Sequence, residues 1–403
     1  MRYTTAWDRP DGDADSGTLL GMSDTASSTD LVDQAAARLP SMLDDLQQII
    51  EVESPSLDYD AVARGADAVA QVIYERLDVR PERLIIDGVT HLQLTFGEGP
   101  PRMVLLCHQD TVWPLGTLDR LPFSVSDGVI SGPGSFDMLT GVVMAIHAAA
   151  LAQAGGHSLD GLCLLVTGDE EEGSLSSRDL MVDMSRDARA VLVFEAAGPG
   201  GTLKVGRKGV SMYTLHITGR AAHAGLEPWK GISALEELAA QLPHLAALAD
   251  PDAGTTVTPT VFGGGTTSNT VPADAELMVD VRATSVAEQQ RVDAAIRAVQ
   301  PCLPGAQVTV SGEINRPPLE RQMAEGLFAT YADTARSLGL DVLEPIEVGG
   351  ASDGNFTAAA GIPTLDGLGA VGDGAHAEHE HALVEELVPR TAATAAFITR
   401  LLA

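Results

Sequence analysis

The chain is short of cysteine, short of basic residues and without a long uninterrupted apolar run, and each shortage closes off a class of protein. Three cysteines in 403 residues, Cys107, Cys163 and Cys302, form no CxxC pair and no even-numbered framework. That excludes a disulfide scaffold and suits a reducing compartment. Two of the three sit inside apolar, strand-like runs, where a cysteine is a packed thiol and not a nucleophile. Lys and Arg number 25 against 56 Asp and Glu, a formal net charge of -31. A surface that acidic repels nucleic acid and anionic membrane, so neither is expected as a partner. With no run of about 18 apolar residues, no transmembrane helix is expected. The N-terminus, rich in Asp, Ser, Thr and Gly, lacks the basic-then-apolar order of a signal peptide. Residues 1–30 are read as a disordered leader, with Met22 an alternative start, and the protein as cytoplasmic.

What is present is a globular composition, 45% hydrophobic and 20% charged, in a chain long for a single core. Apolar spacing predicts amphipathic helices over 31–50 and about 58–77. Three short apolar runs follow, "MVLLC" 103–107, "LCLLVT" 162–167 and "AVLVF" 190–194, with helical stretches between them. Runs apolar on both faces and separated by helices indicate a mainly parallel α/β sheet. Between about Gly206 and Arg316 the period changes to two: Tyr213, Leu215 and Ile217 alternate with polar residues, as do Leu277, Val279 and Val281. Helical stretches near 232–249 and 286–300, and strands near 256–262 and 306–311, complete a β-α-β-β-α-β order, that of a ferredoxin-like unit. The expected organisation is an α/β domain from 31–206 and 317–403, interrupted by a smaller α+β domain at 207–316.

Ligands of open α/β sheets bind beyond the carboxyl ends of the strands. The three parallel candidates lead into His108 and Asp110, into "DEEEG" 169–173, and into Glu195. Singly, each group has an ordinary reading: a core histidine, a turn aspartate, a solvated acidic loop, and for Asp137 a helix N-cap. Together with the late "GDGAHAEHEHA" they supply two imidazoles and at least three carboxylates, a donor set for zinc, manganese or cobalt. Asp137 can bridge two ions about 3.5–4 Å apart, as hydrolytic two-metal sites require. Asp110 can turn back to the free ring nitrogen of His108 and orient it. Of Glu170 and Glu171, one can hold metal and the other act as a base.

These segments, "HQDTV", "GPGSFDMLTG", "TGDEEEGS", "FE", "GRAAHAG", "GGTTSNTVPADAE" and "AHAEHE", resemble in order and spacing the motifs of the M20 metallopeptidases, most of all the glutamate-carboxypeptidase branch. The resemblance spans residues 31–403. It implies a zinc-exopeptidase-like α/β catalytic domain with a ferredoxin-like lid that dimerises. It also implies two divalent ions, zinc foremost with cobalt or manganese compatible. His108, Asp137 and Glu195 would hold one ion; Asp137 would bridge to a second held by Glu171 and His376. Glu170 would be the general base and Asp110 the orienter of His108. His223 would reach into the partner subunit's site to stabilise an oxyanion, while Asn269 and Arg316 would contact substrate, Arg316 as a carboxylate clamp. His376 is chosen over His379 and His381 because Glu380 completes the family's H-x-x-x-E pattern. Leu139 departs from the lysine common in D-x-K-x-G. The implied activity is hydrolysis of an amide bond in a small peptide or N-acyl amino acid with a free α-carboxylate. Aminoacylase-like, carbamoyl or other amidohydrolase chemistry on the same scaffold is the alternative, and a non-catalytic amino-acid- or peptide-binding protein a remote one.

Overall fold

The structure is a computed structural model and describes residues 28–403. Of the expected leader, only Ser28, Thr29 and Asp30 are described, and they form the first turn of α1 (Ser28–Ile50); the rest lies outside the described residues. α2 (Tyr59–Leu77) starts where the Asp58 carboxylate accepts the Ala61 N–H, and stops where Asp78 turns left-handed at φ 56°. Its stripe of Val62, Ala66, Val69, Ile73 and Leu77 is buried at helical spacing.

β1 (Glu82–Ile86) and β2 (Val89–Thr95) form a hairpin whose two-residue turn, Asp87 and Gly88, has positive φ at both positions. That geometry matches the right-handed twist of the flanking strands, and Asp-Gly is a favoured pair for it. β2 then pairs antiparallel with β4 (Leu162–Thr167), and β4, β3 (Met103–His108), β5 (Ala190–Val193) and β12 (Thr364–Leu365) run parallel. The sheet order is β1-β2-β4-β3-β5-β12, mixed at one edge and parallel through the centre. Every residue of β3, β4 and β5 is buried. Alternation explains why: Leu105, Leu164 and Leu192 face the large helical core, while Val104, Leu106, Cys163 and Val191 face a second cluster around Met181 and Phe356. Cys107 and Cys163 are packed thiols, Cys163 pushed up to about 11 by burial; Cys302 is exposed.

α3 (Thr140–Ala154) is apolar all round because it is the middle of that helical layer. Together with the turn before it, Ser135–Ala154 contains an 18-residue window with a mean hydropathy of 1.5, apolar enough to cross a membrane by length and composition. The segment is no uninterrupted apolar run, holding Asp137, His147 and Gln153, and 94% of its most apolar 18-residue window is buried inside the protein, under α1, α2 and α6 (Val384–Leu402). Its one imidazole, His147, meets Asp45 of α1 at 2.7 Å, and Asp45 also takes a bidentate pair from Arg76 of α2. A buried polar trio thus ties three helices together.

Beyond residue 206 the chain builds a second sheet. β6 (Gly209–Thr218), α4 (Ala234–Ala246), β8 (Thr256–Gly264), β10 (Asp274–Ala283), α5 (Val286–Arg297) and β11 (Gln307–Arg316) form an antiparallel sheet of order β8-β10-β6-β11. This is the ferredoxin-like order. Tyr213, Leu215, Ile217, Leu277, Val279 and Val281 face α4 and α5 in a core of their own, each such side chain contributing roughly 1.5–3 kcal/mol. Met212, Met278 and Arg282 alternate to the uncovered face. A short ribbon, β7 (Ala222–His223) paired with β9 (Thr270–Val271), projects from it.

Gly141, in the first turn of α3, allows the helix to lie against β5: a Cβ there would stand 2.0 Å from the Phe194 carbonyl oxygen. Because that atom is backbone, it cannot rotate away. Gly141→Ala is expected to lose about 1–3 kcal/mol from the clash, outweighing the roughly 1 kcal/mol gained in helix propensity. The urea midpoint of the metal-free protein measures it, and an unchanged or raised midpoint would refute the tight contact.

Candidate metal centre

Parallel pairing places the three chemistry-bearing strand ends side by side, His108 opposite Thr167 and Leu106 opposite Val193. The next few residues of each strand, Asp110, then Glu170 and Glu171, then Glu195, therefore open onto one volume. Asp137 enters from the turn before α3, across an Asp137–Met138 peptide that is cis, and His376 from a loop in which it adopts φ 62°.

Asp137 stands between the two histidines. Its Oδ1 lies 3.4 Å from His108 Nε2 and its Oδ2 3.3 Å from His376 Nε2. Glu195 Oε1 is 3.5 Å from the same His108 nitrogen, and Glu171 Oε2 is 3.2 Å from the same His376 nitrogen. Two donor triads thus share Asp137. Metal–ligand bonds of 2.0–2.2 Å at tetrahedral angles put donors roughly 3.3–3.6 Å apart, which matches these separations and not a short hydrogen bond. His108 Nε2 and Glu171 Oε1 are buried without a hydrogen-bond partner among the described residues. Orphaned donors aimed into a carboxylate-rich volume are what a site for one or two cations presents, so the residues fit the metals implied by the sequence. His379 and His381 stay outside both triads.

The electrostatics follow from crowding. Burial opposes charge on His108, but Asp110, Asp137 and Glu195 together hold its imidazole well above its ordinary value. Burial likewise opposes charge on Asp137, and His108 and His376 overcome it, keeping that carboxyl low. Hydrogen bonding to Asp137 and Glu171 pushes His376 up to about 10. Glu170 has gone the other way: buried and only partly compensated by Arg316, it is pushed up to about 8.

Asp110 is fully buried, and its role is broader than orienting an imidazole. His108 Nδ1 meets the Asp110 main-chain oxygen at 3.0 Å and its carboxylate only at 3.5 Å. The carboxylate instead accepts the Glu170 and Glu171 N–H groups, each at 3.2 Å, and the Ser56 hydroxyl at 2.7 Å. Arg316 lines the cavity but is not a free clamp. Its guanidinium donates to the Glu170 side chain, and through Nη2 to Glu170 O and Ser174 Oγ, both at 2.8 Å. His223 and Asn269 are exposed on the β7–β9 ribbon, where Asn269 O accepts the Ala224 N–H, and neither lines the metal cavity. Leu139, at the lysine position of the common motif, is buried in the core.

Residue reading overlooked the cations and the braces. Arg207 grips Asp366 with two hydrogen bonds of 2.7 and 2.9 Å and stands 3.7 Å from Glu195. Lys204 lines the cavity, its ammonium brought down to about 8 by burial. Asp169, His91, Ser176 and Ser177 form a buried network that holds the start of the Glu170 loop. The signal for Arg207 was visible as "GRKG" directly before the change of period; the rest needed the fold.

The description "Peptidase family M20/M25/M40" matches residues 104–400. The chain belongs to this family. It is 28% identical over 376 residues to carboxypeptidase G2 of Pseudomonas sp. (strain RS-16), covering 89% of each chain. It is 27% identical over 384 residues to succinyl-diaminopimelate desuccinylase of Xanthomonas euvesicatoria pv. vesicatoria (strain 85-10), covering 86% of this chain and 98% of that one. The fold is shared with the Bacillus subtilis YXEP protein, described as a dinuclear metal binding peptidase from the M20 family, at TM-score 0.64 and 15% identity over 91% of this chain and 99% of that one. This M20 member is a hydrolase of the metallopeptidase type.

A histidine must be neutral to bind metal, so cations and protons compete for both imidazoles. Titrating the metal-free enzyme with Zn2+ at pH 8 should release a proton from each histidine, read by calorimetry in buffers of different ionisation enthalpy; buffer-independent heats would contradict the pairing. Because the His376 value is raised in the folded state, its pairing stabilises the metal-free protein fully below 6.5 and is lost as pH rises through about 10. The melting temperature of the M20 apoprotein should therefore fall between pH 7 and 10, and that of the metal-loaded form should not.

Proposed function

We propose that this M20 enzyme is a dinuclear, zinc-dependent hydrolase that cleaves an amide bond in a small peptide or N-acyl amino acid with a free α-carboxylate, releasing the C-terminal amino acid. The observation that carries the reading is Asp137 between two histidines, with a high-pKa Glu170 at hand. Ions bound by His108, Asp137 and Glu195, and by Asp137, Glu171 and His376, would supply Lewis acidity to a carbonyl and to water. The chain's own residues do the rest. Glu170, whose hold on a proton is strengthened by burial, takes a proton from the attacking water and passes it to the leaving nitrogen. Asp110 keeps His108 and the Glu170–Glu171 amides in register, and Arg207 holds Glu195. A cavity of about 550 Å³ takes a substrate of dipeptide size. Its Lys204 is a cation placed to receive the free carboxylate; Arg282 and Arg316 serve as clamps only by leaving Asp280 and Glu170.

In this reading residues 207–316 are a lid, and a second copy completes the site. His223 Nδ1 accepts the Gly225 and Leu226 N–H groups, both at 3.1 Å, which leaves Nε2 carrying the proton and facing outward as a donor. β8 is a sheet edge with Val261 and Phe262 exposed, a surface suited to a partner. A desuccinylase-like reading, in which the acyl group carries the second carboxylate, is supported by the similarity to the desuccinylase and uses the same residues.

Amino-acid release from a panel of dipeptides, N-acyl and N-succinyl amino acids by Zn2+-loaded enzyme tests the reading. Glu170→Gln should lower kcat about 10²–10⁴-fold with both ions retained. No release across the panel by enzyme holding two ions would move the function to another scissile bond or to binding alone. Glu170→Gln and His223→Ala, each inactive, should regain activity when mixed and allowed to exchange subunits, because one site of the heterodimer then has both groups. Mixtures as inactive as their parts would sink the idea that His223 acts across a dimer.

A further inference from the structure

Glu380 takes no part in either donor triad, yet it is 1% exposed and receives more hydrogen bonds than any metal-facing carboxylate. Its Oε1 accepts the N–H groups of Phe136 at 2.8 Å and of Asp137 itself at 3.0 Å. Its Oε2 accepts the Trp113 indole N–H at 2.7 Å and the Gly134 N–H at 3.1 Å. All four partners are donors, and three belong to the turn that presents Asp137. Glu380 itself lies at the end of the loop that carries His376, folded back by Ala377 N–H to Gly374 O at 2.9 Å and Glu380 N–H to Ala377 O at 2.8 Å. One buried carboxylate therefore joins two segments 243 residues apart in sequence, each of which delivers a donor facing the same volume.

We propose that Glu380 is a positioning residue for the second metal, setting the distance between Asp137 and His376; this rests on the dinuclear reading above. The other triad has its own supports. His108 is fixed by β3 and by Asp110, and Glu195 by Arg207, none of which touches Glu380. Loss of Glu380 thus separates the two ions in affinity: the ion at Asp137, Glu171 and His376, two of whose ligands sit on segments that Glu380 joins, weakens most, and the one at His108, Asp137 and Glu195, which shares only Asp137, weakens less. Glutamine is the informative substitution because it has nearly the same shape but replaces one acceptor oxygen with an NH2 donor. Two of the four N–H groups then face a donor and lose their partner, and the Asp137 turn must move to satisfy them.

The test is titration of metal-free protein with Zn2+ alone, followed by calorimetry and by metal content after dialysis, with Co2+ absorption as a report on coordination. Wild type should take up two ions; Glu380→Gln should bind the second about 10–100-fold more weakly and the first by a clearly smaller factor, with the larger change in the Co2+ spectrum at the second equivalent. Trp113→Phe removes one of the four donors without touching the carboxylate. It should shift the second affinity in the same direction by less, and it decides the matter if Glu380→Gln does not fold. Variants that fold, melt earlier and still bind both ions with wild-type affinity would overturn the proposal and leave Glu380 a structural brace. Equal weakening of both ions would also overturn it. Wild type that takes up one ion would overturn the dinuclear reading itself, an outcome distinct from a wild-type-like Glu380→Gln.

Discussion

The interaction on which the rest of this molecule depends is repulsion among carboxylates. Asp110, Asp137, Glu170, Glu171, Glu195, Asp353 and Asp366 converge at the ends of four parallel strands, and all but Asp137 and Glu171 are buried outright. Two like charges 4 Å apart repel by about 4 kcal/mol at an effective dielectric of 20, so the cluster requires positive charge nearby. The fold supplies it in three forms: the imidazoles of His108 and His376, the guanidiniums of Arg207 and Arg316, and N–H groups aimed at Asp110 and Glu380. What these do not balance is the charge that the metals of an M20 peptidase answer. The centre is thus an anionic field whose donor set fits cations.

That field also reaches into the second sheet. Arg207 lies just before β6, where the chain leaves the parallel-sheet body, and Arg316 ends β11, where it returns. The two crossings run side by side, joined by paired Arg207 and Leu319 main-chain bonds of 3.0 Å. The Asn355 amide donates to Lys208 O at 3.2 Å and to Pro317 O at 2.8 Å, one on each crossing. Each crossing therefore carries a buried arginine paired with a site carboxylate, Glu195 or Glu170.

Much of this was legible from local pattern. Period-2 alternation in 209–218 and 274–283, apolar runs at 103–107 and 162–167, and the glycine-terminated helix before residue 155 are properties of short windows, and burial follows them residue by residue. The β1–β2 hairpin was equally local, its Asp-Gly pair visible at 87–88, and it went unread because β1 is short and mostly exposed, its Leu84, Ile85 and Ile86 running on without alternation. Residues 135–154 are a case in which composition alone is ambiguous: a helix wrapped on all sides by other helices has no polar face, so composition cannot distinguish it from a membrane span.

The sequence by itself marked the candidate donors, since strand ends running into His108, Glu171 and Glu195 can be recognised one segment at a time, and the family resemblance added Asp137 and His376. Only the tertiary structure decided how those groups are held. That Arg316 grips Glu170, that Arg207 stands behind Glu195, and that Glu380 gathers the turn around Asp137 are contacts across 146, 12 and 243 residues. No local period encodes such pairings. They arise because a buried charge must find its partner wherever the packed backbone happens to bring one within reach.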